Sequence, residues 1–221
     1  MERRATSLNA PSDPYCQAPE IQIGARRIAA AEPPYVVAEM SANHGGDYER
    51  AVQMVRAAAA AGADAVKLQT YTPDALTLNC DRPPFCIQGT PWSGCSLYAL
   101  YREAQTPWDW FPKLQAVAHE AGIELFSSPF DAAAVDFLEG CAAPAYKIAS
   151  FELVDLPLLR RVAATGKPVL LSTGMAAWSE MDEAVRAVRG CGNERLALLR
   201  CSSAYPSQPA DMHLRTLGRL R

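Results

Sequence analysis

The chain has 221 residues, 49% of them hydrophobic and 20% charged, with a formal net charge of −3. That composition suits one globular domain with a sizeable core. The slightly acidic balance speaks against a nucleic-acid surface, and no apolar run reaches the roughly 18 residues of a membrane-spanning helix.

In chain order, residues 1–20, "MERRATSLNAPSDPYCQAPE", carry basic residues with no apolar stretch behind them and read as a disordered tail rather than a secretory leader. Residues 21–34 begin with "IQIGARRIA", a small hairpin with a glycine in its turn. From residue 35 onward β-rich runs alternate with alanine-rich helical stretches. The runs are "YVVAEM" from Tyr35, "DAVKLQT" from Asp64, "IELFSS" from Ile123, "AYKIAS" from Ala145, "PVLLST" from Pro168 and "LALLRCS" from Leu196. Between them lie "DYERAVQMVRAAAAAG", "WDWFPKLQAVAHEAG", "DAAAVDFLEG", "DLPLLRRVAATG" and "WSEMDEAVRAVRG". Several of these start at an Asp or Ser cap and stop at Gly62, Gly122, Gly140, Gly166 or Gly190. Strands that alternate with helices predict parallel βα units, in a closed (β/α)8 barrel or an open doubly wound sheet. No GxGxxG follows the first strand, which lowers the weight of a dinucleotide-binding sheet.

Residues 71–106 interrupt this rhythm with a loop rich in Pro, Gly, Cys and aromatics, and "SLYALYREA" predicts a short helix inside it. A loop of that length in a compact domain is usually a lid or binding loop. The final "DMHLRTLGRLR" reads as the start of a further helix. The seven cysteines, Cys16, Cys80, Cys86, Cys95, Cys141, Cys191 and Cys201, are scattered and form no CxxC pair. They are expected to be unpaired thiols of a cytoplasmic protein.

Every predicted strand carries polar groups at its C-terminal end. The first ends in Glu39, with Asn43 and His44 beyond it, and the second carries Lys67 and Gln69. The next two end in Ser127 and Ser128, then Lys147, Ser150 and Glu152. The last two end in Ser172 and Thr173, then Ser202, Ser203 and Tyr205. Parallel α/β folds build their sites at that end of the sheet. Lys67 and Gln69 share a strand face and so can reach one cavity. Two lysines with several hydroxyls suit an anion bearing phosphate and carboxylate groups, since a buried lysine without an anion is costly or loses its proton. The alternatives are a structural ion pair of either lysine with Glu39 or Glu152, and a lysine that forms a Schiff base with a carbonyl substrate.

"AEMSANHGG", "VKLQTYTPD", "FSSPFD", "PAYKIASFE", "GKPVLLSTGM" and "SSAYP" together resemble the sialic acid synthase family of phosphoenolpyruvate-condensing enzymes. "LYALYREAQTPWDWF" and "KIASFE" are most similar to its pseudaminic acid synthase branch. The resemblance implies a TIM barrel joining phosphoenolpyruvate to an open-chain acetamido sugar, 2,4-diacetamido-2,4,6-trideoxy-L-altrose in that branch, with N-acetylneuraminate or legionaminate synthesis as alternatives. By matching motifs, Lys67, Ser128, Lys147, Ser150 and Ser172 would hold phosphoenolpyruvate, with Ser203 nearby. Gln69 and Tyr205 would face the sugar, Glu39 would sit near the sugar and a metal-bound water, and Glu152 would be an acid/base. The resemblance further implies a Mn2+ or Mg2+ cofactor, held by two histidines from "SDHT"-like and "KHF"-like segments that this sequence lacks, and a homodimer with an antifreeze-like domain. Residues 35–221 are therefore expected to form an incomplete barrel of about six βα units, inactive alone or a non-catalytic remnant.

Overall fold

A computed structural model describes residues 20–89, 93–204 and 206–220 of the chain. The expected disordered tail therefore lies outside the described residues, apart from Glu20. The first elements are the antiparallel strands β1 (Ile21–Ile23) and β2 (Arg26–Ile28), joined through Gly24 at φ +56°. The left-handed backbone at Gly24 favours glycine, and a Cβ there would push the Glu124 carboxylate aside.

Six parallel strands follow: β3 (Val37–Glu39), β4 (Ala65–Thr70), β5 (Glu124–Pro129), β6 (Tyr146–Ile148), β7 (Val169–Ser172) and β8 (Leu196–Leu199). They pair strictly in chain order, so each connection steps to the next strand, as in a (β/α) barrel. The result is a half-barrel, with β3 and β8 as its edges among the described residues. The connecting helices are α1 (Tyr48–Ala60), α2 (Pro73–Leu76), α3 (Leu97–Ala104), α4 (Trp110–Glu120), α5 (Ala132–Gly140), α6 (Leu156–Ala163) and α7 (Trp178–Arg189).

Side-chain alternation divides the sheet into two faces. Outward-pointing Val66, Leu68, Leu125, Tyr146, Ile148, Val169 and Leu171 meet the buried stripes of the helices, such as Ala51, Val52 and Val55 of α1, in the main core. Inward-pointing Ala65, Phe126, Ala145 and Leu170 meet Ile21 and Ile23 of the hairpin in a second, smaller core. The hairpin thus plugs the interior at the strands' N-terminal ends. Arg26 holds it there by pairing with Asp64, whose other oxygen accepts from the Val36 N–H at 2.6 Å.

Aspartate caps start α1, α5 and α6: Asp47, Asp131 and Asp155 accept from the N–H of Arg50, Ala134 and Leu158 at 3.1, 2.7 and 3.0 Å. Gly62, Gly122 and Gly166 provide left-handed stops. Two stops differ from expectation. Gly140 is still helical, and the left-handed residue is Ala142 at φ +54°. Gly190 has φ −61°, and Gly192 takes the positive angle. The C-terminal stretch also differs: it forms two 3₁₀ turns, Pro209–Met212 and Leu214–Arg219, broken by His213 at φ +43°. Leu214 and Leu217 are exposed, so the stretch has no buried stripe to hold an α-helix.

The long excursion holds α2 and α3 and is pinned where it leaves and rejoins the barrel. Tyr71 is buried edge-on against Phe130 and Tyr101 and accepts from Trp108 Nε1 at 3.0 Å through its carbonyl.

Candidate active site

The upper part of the inward face is polar. Glu39, Lys67 and Phe126 are level across β3, β4 and β5, and Gln69 is level with Ser128 one layer higher. Lys67 is 8% exposed; its ammonium pairs with Glu39 at 2.5 Å and donates to Ser128 Oγ at 3.4 Å. Lys147 enters the same space from β6. Glu39, Lys67 and Lys147 line one cavity of about 350 Å³, whose floor is formed by Tyr35, Phe126, Leu170 and the hairpin residues Ile21 and Ile28. Among the described residues no carboxylate pairs with Lys147. Burial, then the neighbouring Lys67 charge, pushes its pKa down to about 8. The ion-pair alternative thus describes Lys67 and not Lys147.

The hydroxyls form a second cluster beside the lysines. Ser150 Oγ accepts from the Gly174 N–H at 3.2 Å. A Cβ on Gly174 would collide with Ser150 Oγ and Ser203 Oγ, so the glycine lets these two hydroxyls converge. Ser203 itself sits in a left-handed turn at φ +55°. Ser172 is buried and accepts from the Cys201 thiol at 3.3 Å. Glu152 follows in the 3₁₀ turn Phe151–Val154; one carboxylate oxygen is buried with no hydrogen-bond partner. Burial raises the Glu152 pKa, and the charge of Lys147 opposes that rise. An unpartnered carboxyl pushed towards its neutral form is the kind of group that can exchange a proton.

The structure brings Glu39, Lys67, Lys147 and Ser128 together, and it joins Ser150, Ser172 and Ser203 through Gly174 and Cys201. Gln69 is half-buried on the same strand face as Lys67. Tyr205 lies outside the described residues. Ser127 and Thr173 are separate from this group. Ser127 points to the helix side and bonds Thr70 Oγ1 at 2.7 Å. Thr173 donates to the Leu199 carbonyl at 3.0 Å. Two participants carried no expectation, Gly174 and Cys201. Cys201 is two residues past the cavity-lining Leu199, so strand alternation continued beyond β8 was the available signal.

His44 is wholly buried and fully engaged. Its Nδ1 accepts from the Gly46 N–H at 3.0 Å, which leaves the proton on Nε2 to donate to Thr106 Oγ1 at 3.0 Å. Burial lowers its pKa. It ties the β3–α1 turn to the end of the long excursion. Among the described residues no three His, Cys, Asp or Glu side chains gather as a metal's donor set. The divalent ion implied by the resemblance therefore does not fit the side chains in place, and no step below passes through one.

A sequentially ordered half-barrel with its polar rim at the strands' C-terminal ends defines the class, a (β/α)-barrel-type unit with a site where such folds build theirs. A family model described as NeuB family matches residues 54–221, and the chain belongs to that family. It is 46% identical over 189 residues to the pseudaminic acid synthase of Helicobacter pylori, covering 86% of this chain and 56% of that protein. The pseudaminic acid synthase of Campylobacter jejuni (strain 81-176) is 43% identical over 187 residues, covering 85% and 54%. The N-acetylneuraminic acid synthetase of Leptospira borgpetersenii, solved with citrate, superposes with a TM-score of 0.81 at 28% identity, covering 92% of this chain and 66% of that one. The chain spans about half the length of the curated relatives it matches. Among the described residues no helix is long and apolar enough to cross a membrane.

Proposed function

We propose that this chain carries the phosphoenolpyruvate-binding rim of a nonulosonic acid synthase. The proposed sugar is 2,4-diacetamido-2,4,6-trideoxy-L-altrose, and the products are pseudaminic acid and phosphate. The observation that carries the reading is Lys147: a desolvated ammonium with no carboxylate partner, facing a second ammonium across one cavity. Such a site is electrostatically unfinished, and an anion bearing both a phosphate and a carboxylate would complete it. The pseudaminic acid synthases of two organisms among the relatives support the choice of sugar.

In this reading Lys67, Lys147, Ser128, Ser150, Ser172 and Ser203 hold phosphoenolpyruvate, while Gln69 and Tyr205 meet the sugar. The C3 carbon of the enol attacks the sugar aldehyde, forming the C–C bond, and positive charge develops at C2. The new alkoxide takes a proton from water. Water adds to C2 and loses a proton to a carboxylate, Glu39 or Glu152. The C2 hydroxyl of the tetrahedral intermediate then becomes the ketone as the C2–O(phosphate) bond breaks, and its proton leaves with the phosphate. Glu152 is poised for proton transfer by its unpartnered oxygen and raised pKa. Glu39, already paired with Lys67, stabilises the cationic centre.

Calorimetric titration of the 221-residue chain with phosphoenolpyruvate tests the binding. Saturable binding is expected; its absence overturns the reading. Sugar choice is tested by comparing the altrose derivative with N-acetylmannosamine on the phosphoenolpyruvate-loaded chain, and equal affinity would overturn the pseudaminic assignment. A lowered lysine pKa also favours a second reading, Schiff-base chemistry at Lys147. Borohydride reduction in the presence of pyruvate, followed by peptide mapping, would reveal it as a stable adduct on that lysine.

A further inference from the structure

Cys201 is a half-buried thiol beside the anion rim that the reaction outlined above does not use. Its Sγ lies 3.3 Å from Ser172 Oγ and 3.5 Å from the Leu199 carbonyl oxygen. Its Cβ packs 3.3 Å from where a Cβ of Gly174 would stand, next to Ser150 and Ser203. It therefore contacts the serine cluster from the β8 side.

The consequence lies in the hydroxyl of Ser172. A serine hydroxyl has one proton to donate and two lone pairs to accept with. Ser172 is 2% exposed, so water cannot freely supply a partner. With no other fixed donor, the hydroxyl would be free to turn its proton onto the sulfur or a backbone carbonyl, away from a ligand. An S–H donated to Ser172 Oγ occupies a lone pair and leaves the O–H for something else.

We propose that Cys201 is a positioning residue of this site: its thiol donates to Ser172 Oγ and thereby turns the Ser172 O–H toward the cavity, to donate to the bound anion. The inference rests on the phosphoenolpyruvate-binding reading and adds a specific hydrogen-bond direction to it. The thiol undergoes no covalent step.

The test is calorimetric titration with phosphoenolpyruvate of the wild-type chain, Cys201→Ser, Cys201→Ala, Ser172→Ala and the double variant Cys201→Ala/Ser172→Ala. Cys201→Ser restores a donor and is expected to bind within about twofold of wild type, whereas Cys201→Ala should bind about three- to tenfold more weakly, the weight of one neutral hydrogen bond. Because Cys201 acts only through Ser172, the double variant should bind no more weakly than Ser172→Ala alone. Wild-type affinity in Cys201→Ala, or losses that multiply in the double variant, overturns the inference and leaves the anion reading standing. Failure of the wild-type chain to bind phosphoenolpyruvate overturns both. A second readout is the S–H stretching band that disappears in Cys201→Ser: it should move in Ser172→Ala, and an unmoved band overturns the thiol-to-serine hydrogen bond even if Cys201→Ala lowers overall stability.

Discussion

The two ends of the half-barrel's interior are built from the same strands and behave as opposites. At the N-terminal end, Ala65, Phe126, Ala145 and Leu170 close against Ile21 and Ile23 of the hairpin, with Tyr35 packed beside them. One inward-facing position further along each of these strands stand Lys67, Ser128, Lys147 and Ser172. Core and site thus share one face and interlock where they meet, with Lys67 level with Phe126 and Lys147 level with Leu170. The floor contributes burial energy and rigidity, and the rim holds charges that burial alone would penalise. Stability and ligand affinity should therefore separate cleanly between residues only one strand position apart.

The largest effect is expected at the floor. Phe126 is fully buried between the hairpin and the sheet. Phe126→Ala should lower unfolding free energy by about 3–5 kcal/mol, read as a drop in the urea midpoint. A shift under about 1 kcal/mol would mean that the hairpin does not seal the interior as described.

Lys147→Met makes the reverse test at the rim. Removing a desolvated cation should weaken phosphoenolpyruvate binding by about 2–5 kcal/mol in calorimetric titrations. The fold should be unharmed or more stable, because methionine keeps the stem's packing and removes an unpaired buried charge. Destabilisation on the scale of Phe126→Ala would make Lys147 a structural residue and dissolve the contrast between the two ends.

A pH titration of the same binding sharpens the point. Below about pH 8 the free-site ammonium of Lys147 is present and affinity should be full. Above it the free site loses its proton, and affinity should fall by about tenfold per pH unit until the pKa of the complex is reached. Lys147→Arg, whose guanidinium stays charged, should flatten that fall. A wild-type affinity that stays constant between about pH 7 and 10 would place the cation elsewhere.

Much of this plan was legible in the sequence, for identifiable reasons. Short β-rich runs and aspartate-capped, glycine-stopped helices are local signals, and they located the strands and helices of the half-barrel. Lys67 and Lys147 stood out because a charge inside a strand has few structural explanations. Less legible was anything set by geometry across the sheet. The tandem serines of "FSSPFD" look equivalent in one dimension, yet alternation sends them to opposite faces. Gly174 matters only because Ser150 and Ser203, far apart in sequence, approach the same point. Cys201 was grouped with the other cysteines by redox argument, which says nothing of a neighbour on β7. The C-terminal stretch had helical spacing, but a helix needs a surface to bury against, and Leu214 and Leu217 have none here.

The smallest predicted effect is also the finest test of the two-face description, since it compares adjacent residues. Ser127 is wholly buried on the helix side and bonds Thr70 at 2.7 Å. Ser127→Ala should cost about 1 kcal/mol, because it leaves the Thr70 hydroxyl without its partner, and the double change Ser127→Ala/Thr70→Val should recover most of that by removing the orphan. Neither should alter phosphoenolpyruvate binding. Ser128 is one residue along, on the other face, and takes a hydrogen bond from Lys67 at 3.4 Å. Its alanine variant should leave the urea midpoint nearly unchanged and weaken binding severalfold. If both serines acted on affinity, or both only on stability, the strand could not hold its two faces apart, and the Lys67–Ser128 contact would not belong to the site.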